Sequence, residues 1–206
     1  MSEDGDFPPI ITLNDDELSA NDDVYPDEFP ILALKNTVLF PGVVLPITIG
    51  RDKSIKAVKK AYDSTKYIAV LSQKDLKNED PGVEDLFHLG CVARIIKMLK
   101  MPDGSTTAIL QGRSRCKLTA MTQTDPFLQG KFDILQDEVE DKEDIEMDAI
   151  MSSVRDQSVR IIELSPQIPS EASSMLENMT NNSFLINFIA SNLNLSIVQK
   201  QEILGV

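Results

Sequence analysis

The sequence predicts an α+β fold in two parts, a small antiparallel β-barrel with one inserted helix followed by an α-helical bundle. Three observations predict it. From Phe29 to about Asp137 the apolar residues fall in short runs of strand periodicity, punctuated by Pro and Gly. After Asp144 the apolar period lengthens to that of a helix. Charge is concentrated before the first run: residues 1–28 hold ten acidic side chains and no Lys or Arg, supplying −10 of the net −13. The expected units are an acidic leader over 1–28, a barrel over 29–140 and a bundle over 141–206 that is cut short within its C-terminal helix.

The leader joins that charge to Pro8, Pro9 and Pro26 and has few large apolar side chains, so it cannot bury enough surface to offset its ordering entropy. It is expected to be disordered, with an interaction tail or DNA mimic as the functional alternative. A second acidic block, Asp133 to Asp148, holds nine acids against Lys142; the rest of the chain has 19 basic and 14 acidic residues. The folded body is therefore close to neutral, and 42% hydrophobic residues suffice to build its cores.

The elements follow in order. Ile31, Leu34, Val38 and Leu39 lead to a Phe40-Pro41-Gly42 turn. Val43 to Ile49 is a second strand in which Pro46 demands an edge or a bulge. Asp52 or Ser54 can cap a helix whose Ile55, Val58, Ala61 and Tyr62 share one face, with Lys56, Lys59 and Lys60 on the wet side. Tyr67 to Ser72 reads as a buried strand, and Cys91–Met101 and Ser105–Met121 flank a Pro102-Asp103-Gly104 turn. Such a set of short strands with one helix suggests a small, partly closed barrel. Beyond it, Ile150, Val154, Ile161 and Leu164 mark the inner face of a helix ending near Ser165-Pro166. Helices are expected over Ala172–Met179 and Phe184–Leu193, the latter burying Phe184, Leu185, Phe188 and Ile189, and Ser196 with Gln199 forms a capping box for a last one.

Chemistry-bearing motifs are absent from this sequence. No G-x-x-x-x-G-K-[ST] loop offers a phosphate cradle, and no G-x-S-x-G elbow presents a nucleophile. His88 is the only histidine, and with two distant cysteines it leaves too few soft ligands for zinc. The acid pairs Glu79-Asp80 and Glu84-Asp85 read as solvated loop charges rather than an acid–base pair. Cys91 and Cys116 sit in apolar strand patterns as small hydrophobes. Neither a signal peptide nor a run of about 18 apolar residues occurs, so cytoplasmic residence without membrane contact is expected. Three Asn-x-Ser/Thr matches then carry no meaning.

The stretch FPILALKNTVLFPGVVLPITIGRDKS, Phe29 to Ser54, resembles the opening of the Lon protease N-terminal domain: strand, Phe-Pro-Gly turn, second strand, and Gly-Arg-x-x-Ser at a helix start. Later segments resemble it too: Gln73-Lys74-Asp75 after the third strand, Gly90-Cys91-Val92-Ala93-Arg94-Ile95, the Pro-Asp-Gly turn, Gly112 to Arg115, and Asn194-Leu195-Ser196 before Gln199-Lys200-Gln201-Glu202. Ala33 and Lys35 depart mildly from the family's usual Pro and Arg. The resemblance covers about residues 29–206 and implies a pseudouridine-synthase-and-transglycosylase-like (PUA-like) barrel. It further implies a substrate-recognition and assembly region of an ATP-dependent serine protease, one that degrades misfolded and short-lived regulatory proteins. The ATPase with its ATP and Mg, the Ser-Lys peptidase dyad and a homo-hexamer would belong to the parent chain, leaving no catalytic, cofactor or metal residue here. A free-standing adaptor with the same domain and an RNA-binding PUA-like module are the alternatives.

Unfolded or tagged clients share hydrophobicity and little else, so an exposed apolar patch is the feature to seek. The candidates are Val38, Leu39, Phe40, Pro41 and Val43 around the turn and Met151, Met175 and Met179 on the helices, each with burial in the domain's own core as its alternative. Arg113, Arg115 and Lys117 alternate along one strand, with Lys97 and Lys100 in the facing strand, a candidate basic face. No aromatic is interleaved with these cations, which argues against nucleic acid as a partner.

Overall fold

The computed structural model describes residues 23–102, 105–136, 145–164 and 171–206. Most of the leader, the tip of the Pro102-Asp103-Gly104 turn, much of the second acidic block and the Ser165-Pro166 helix end lie outside the described residues.

Six strands form one sheet: β1 (Phe29–Leu34), β2 (Val44–Ile49), β3 (Tyr67–Ser72), β4 (Leu89–Lys100), β5 (Thr106–Gln123) and β6 (Gln129–Ile134). Their order is β2-β5-β4-β3-β1-β6, and β6 also pairs with β5. β1 and β3 are parallel while the other pairings are antiparallel, so a mixed sheet replaces the antiparallel barrel read from the sequence. The physical reason is the crossover. β2 does not return beside β1 but pairs with β5, and the helix α1 (Asp52–Tyr62) then carries the chain back so that β3 enters alongside β1 in the same direction. Pro46 lies in this terminal strand, where a missing ladder donor is tolerated.

Both faces of the sheet are buried, and alternation sorts the side chains between them. Leu32, Leu34, Ile68, Val70, Cys91, Ala93 and Ile95 enter one core with Ala57, Val58 and Ala61 of α1. Phe29, Ile31, Ala69, Leu71 and Val92 enter the second. β5 serves both: Ala108 and Leu110 join the first, Cys116 and Leu118 the second. All four positions are even, so strict alternation would leave them on one face. A bulge resets the phase, because Ala93 faces Gly112 and Val92 faces Ser114, with Arg113 as the additional residue between them.

The helical part comprises α2 (Ile145–Glu163), α3 (Glu171–Asn178), α4 (Asn182–Asn192) and α5 (Ile197–Leu204). The Asn181 side chain caps α4 at the amide of Phe184, and Ser196 and Gln199 form the expected capping box on α5. Ala190 and Leu204 pack into the first core, so the bundle and the sheet share apolar volume. A third, smaller cluster of Met151, Leu176 and Leu185, with Val159, Ile162, Met179, Phe188 and Ile189 around it, joins α2, α3 and α4.

One helical face is the reverse of expectation. Ile150, Ile161 and Leu164 are 51%, 59% and 74% exposed, whereas Met151, Val159 and Ile162 meet the bundle. α2 carries two apolar stripes at helical spacing, and periodicity alone does not say which one finds a partner. The leader, too, does not end its involvement before Phe29. Asp23 to Glu28 lies on the sheet, where Tyr25 packs against the second core.

Candidate functional site

The Phe40-Pro41-Gly42 turn is a joint, not a contact surface. Val38, Leu39, Phe40, Pro41 and Val43 are all buried, and Phe40 has no exposed area. Gly42 adopts φ +78°, a left-handed conformation that its missing Cβ makes cheap. Its amide donates to the Gly112 carbonyl at 2.9 Å, and the Gly112 amide donates to the Val43 carbonyl at 2.9 Å. A side chain at Gly112 would overlap the Phe40 carbonyl, so glycine is what lets turn and strand approach this closely. On its other side the turn meets the ring of Phe184 at the start of α4. The five turn residues nominated for client contact therefore connect the sheet to the helices. Hydrophobicity marked them, but it marks core and surface patches alike.

The methionines divide differently. Met151 is buried and Met179 is half-buried in the same cluster, while the Met175 side chain lies outside the described residues. The outward surface of α2 is instead formed by Met147, Ile150, Val154, Ile161 and Leu164, at intervals that return to one side of a helix. From Met147 to Leu164 the stripe runs roughly 25 Å at about 1.5 Å per residue. Sequence periodicity found four of its five members but assigned them to the core.

The basic residues do not form one face. The bulge sends Arg113 into the body, with its side chain only 7% exposed. Arg115 donates from Nη1 to the Leu204 carbonyl at 3.2 Å and to the Val206 carbonyl, at the end of α5. Lys117 is exposed beside Leu89, whereas Lys97 and Lys100 are exposed opposite Ile109 and Thr106. Leu89 and Lys100 are the two ends of β4, roughly 35 Å apart at about 3.3 Å per residue.

Arg113 instead belongs to a buried polar node. Its Nε donates to Asp23 Oδ2 at 2.6 Å, and the Tyr67 hydroxyl donates to Asp23 Oδ1 at 2.7 Å. Burial alone would raise the Asp23 pKa, but hydrogen bonds from Arg113 and Tyr67 and the Arg113 charge together hold it below the ordinary carboxylate value. Burial pushes the Tyr25 phenol up to about 12. The acid pairs noted in the sequence are structural: Glu79 pairs with Lys35, Asp80 pairs with Lys53 at 2.7 Å, and Asp85 accepts from the Gly82 amide at 2.9 Å. Together with Arg51, which donates to the buried Gln73 side chain at 2.9 Å, they pin the loop after β3 to α1. Cys91 and Cys116 are free thiols within the cores, and burial raises the Cys116 pKa well above its usual value. Among the described residues no group of three or more His, Cys, Asp or Glu side chains is placed to hold a metal ion. Nor is any described helix long and apolar enough to cross a membrane.

A mixed sheet joined to helices, with its charged groups engaged in pinning loops and its outer helix apolar, defines a binding module. The profile of the ATP-dependent protease La (LON) substrate-binding domain matches residues 28–206, and the chain belongs to that family. It is 44% identical to the Lon protease of Flavobacterium johnsoniae, with 96% of this chain and 24% of that protein covered. The Lon protease of Cytophaga hutchinsonii is 40% identical, with 97% and 24% covered. The chain thus spans about a quarter of the length of these curated relatives. Among solved structures, the N-terminal domain of the Mycobacterium avium complex Lon protease superposes with a TM-score of 0.70 at 19% identity, covering 87% of this chain and 90% of that one. A Lon N-terminal domain protein from Xanthomonas campestris gives 0.61 at 17%, with the same coverage. At those identities the two structures speak for the fold alone.

Proposed function

We propose that this region captures unfolded or tagged proteins and presents them to the ATPase and peptidase modules of a Lon-like parent chain. The observation that carries the reading is the outward stripe of α2, where Ile150, Ile161 and Leu164 expose half or more of their area. Disordered clients have no fixed shape to recognise, and an apolar stripe on a helix engages any segment able to cover it. In this reading the parent is an ATP-dependent Ser-Lys peptidase that works as a cytoplasmic homo-hexamer with ATP and Mg bound elsewhere. The ring multiplies weak contacts of single modules through high effective concentration.

The test is binding of a fluorescent denatured casein to the chain and to the Ile150→Glu/Leu164→Glu variant. Burial of one such side chain contributes about 1.5–3 kcal/mol, so the double substitution should weaken binding at least tenfold. Its thermal midpoint should barely move, because both positions face water. Unchanged affinity would reject the stripe as the client site. Binding should also survive added salt; tight RNA binding that collapses with salt, beside no casein binding, would favour the RNA-binding reading.

A further inference from the structure

We propose that Arg113, Tyr67 and Tyr25 form a carboxylate-binding cradle whose resident ligand is Asp23, so that residues 23–28 act as a strap tying the acidic leader to the sheet. The cradle begins with the bulge in β5. A regular strand would alternate Arg113 with its neighbours, but as the additional residue it is turned into the body, where its guanidinium is shielded from water. A shielded cation requires an anion close by. Asp23 supplies one with both oxygens engaged: Oδ2 accepts from Arg113 Nε at 2.6 Å and from the Tyr25 hydroxyl at 3.3 Å, and Oδ1 accepts from the Tyr67 hydroxyl at 2.7 Å. The Asp23 side chain is itself only 13% exposed.

The segment that follows is fastened along its length. The Tyr25 hydroxyl lies 2.7 Å from Ser114 Oγ, and its ring stands edge-on to Tyr67 with centroids 5.2 Å apart. Tyr25 and Phe29 are 6.1 Å apart, which seats the strap on the second core. At its far end Glu28 Oε2 accepts from Thr122 Oγ1 at 3.0 Å and from Gln129 Nε2 at 2.7 Å. The strap thus contacts β3, β5 and β6 before the chain enters β1. Two oxygens held by donors from different strands select a planar carboxylate; an amide in its place presents hydrogens to at least one donor. Where the sequence shows only one more acid in an acidic run, the fold uses that acid as an anchor.

The experiment follows hydrogen exchange of the main-chain amides Val24 to Glu28, together with the thermal midpoint, in four chains: the 206-residue protein, one lacking residues 1–22, Asp23→Ala and Tyr67→Phe. Removing 1–22 should change neither quantity. Asp23→Ala should speed exchange in the strap by about ten- to a hundredfold, the factor equivalent to losing hydrogen bonds to a charged group, while β4 amides stay protected. Tyr67→Phe, a conservative change, should give a smaller acceleration in the same amides. Unaltered strap exchange in Asp23→Ala, or release of the strap by removing 1–22 alone, would overturn the assignment, the second by moving the anchor upstream.

Discussion

Replacing Gly42 with alanine tests the joint between sheet and helices. Two costs add at this position. An L-residue held at φ +78° loses about 1–2 kcal/mol relative to glycine. The new Cβ would also stand 2.5 Å from Cδ2 of Phe184, well inside contact distance, and relieving such an overlap costs roughly 1–3 kcal/mol. Gly42→Ala should therefore destabilise by about 2–5 kcal/mol, a large share of the roughly 5–15 kcal/mol that holds a domain together. The second cost vanishes when the ring is removed, so in a Phe184→Ala background the same substitution should cost only the backbone share. Urea unfolding of the four chains in this cycle measures the coupling, provided the dependence on denaturant is unchanged between them. A cost of Gly42→Ala equal in both backgrounds would show that α4 does not press on the turn. A cost below about 0.5 kcal/mol would show that the turn is not left-handed.

Three further outcomes follow from the buried groups. The Asp23 pKa is lowered on folding, so its stabilisation is complete above the unfolded value of about 3.9 and is lost as pH falls through the folded one; an acid titration of the thermal midpoint should show a loss that Asp23→Asn lacks. Tyr25 is shifted the other way, to about 12, so stability should decline from about pH 10 upward, and a phenolate absorbance step near the folded value should disappear in Tyr25→Phe. Cys91 and Cys116 should resist a thiol reagent in the native protein and react with it in denaturant, and rapid native labelling would contradict their burial.

Much of the fold was legible because local chemistry and tertiary role coincide. Pro46 announced the terminal strand, Gly42 the left-handed turn and Ser196 with Gln199 the start of the last helix. The errors arose where two roles share one signature. The turn residues Val38 to Val43 and the α2 residues Ile150 to Leu164 are equally apolar, yet the first are buried by Phe184 and Gly112 while the second face water. Only the three-dimensional partner decides, and no periodicity encodes it. The basic face failed for a different reason: alternation is a valid rule until a bulge breaks it, and the bulge at Arg113 depends on pairing with β4. The parallel pairing of β1 with β3 was likewise invisible, because β2 leaves to join a strand more than fifty residues later in the chain.

That bulge also governs how the gene can change. Because β5 feeds one core before Arg113 and the other after it, loss of this single codon would restore strict alternation and turn Cys116 and Leu118 outward while Lys117 turned inward. A missense change at Arg113 disturbs one node, but an in-frame deletion there inverts half a strand. The length of β5 is thus held as firmly as its composition, and insertions or deletions that surface loops absorb readily should be lethal to folding at this position.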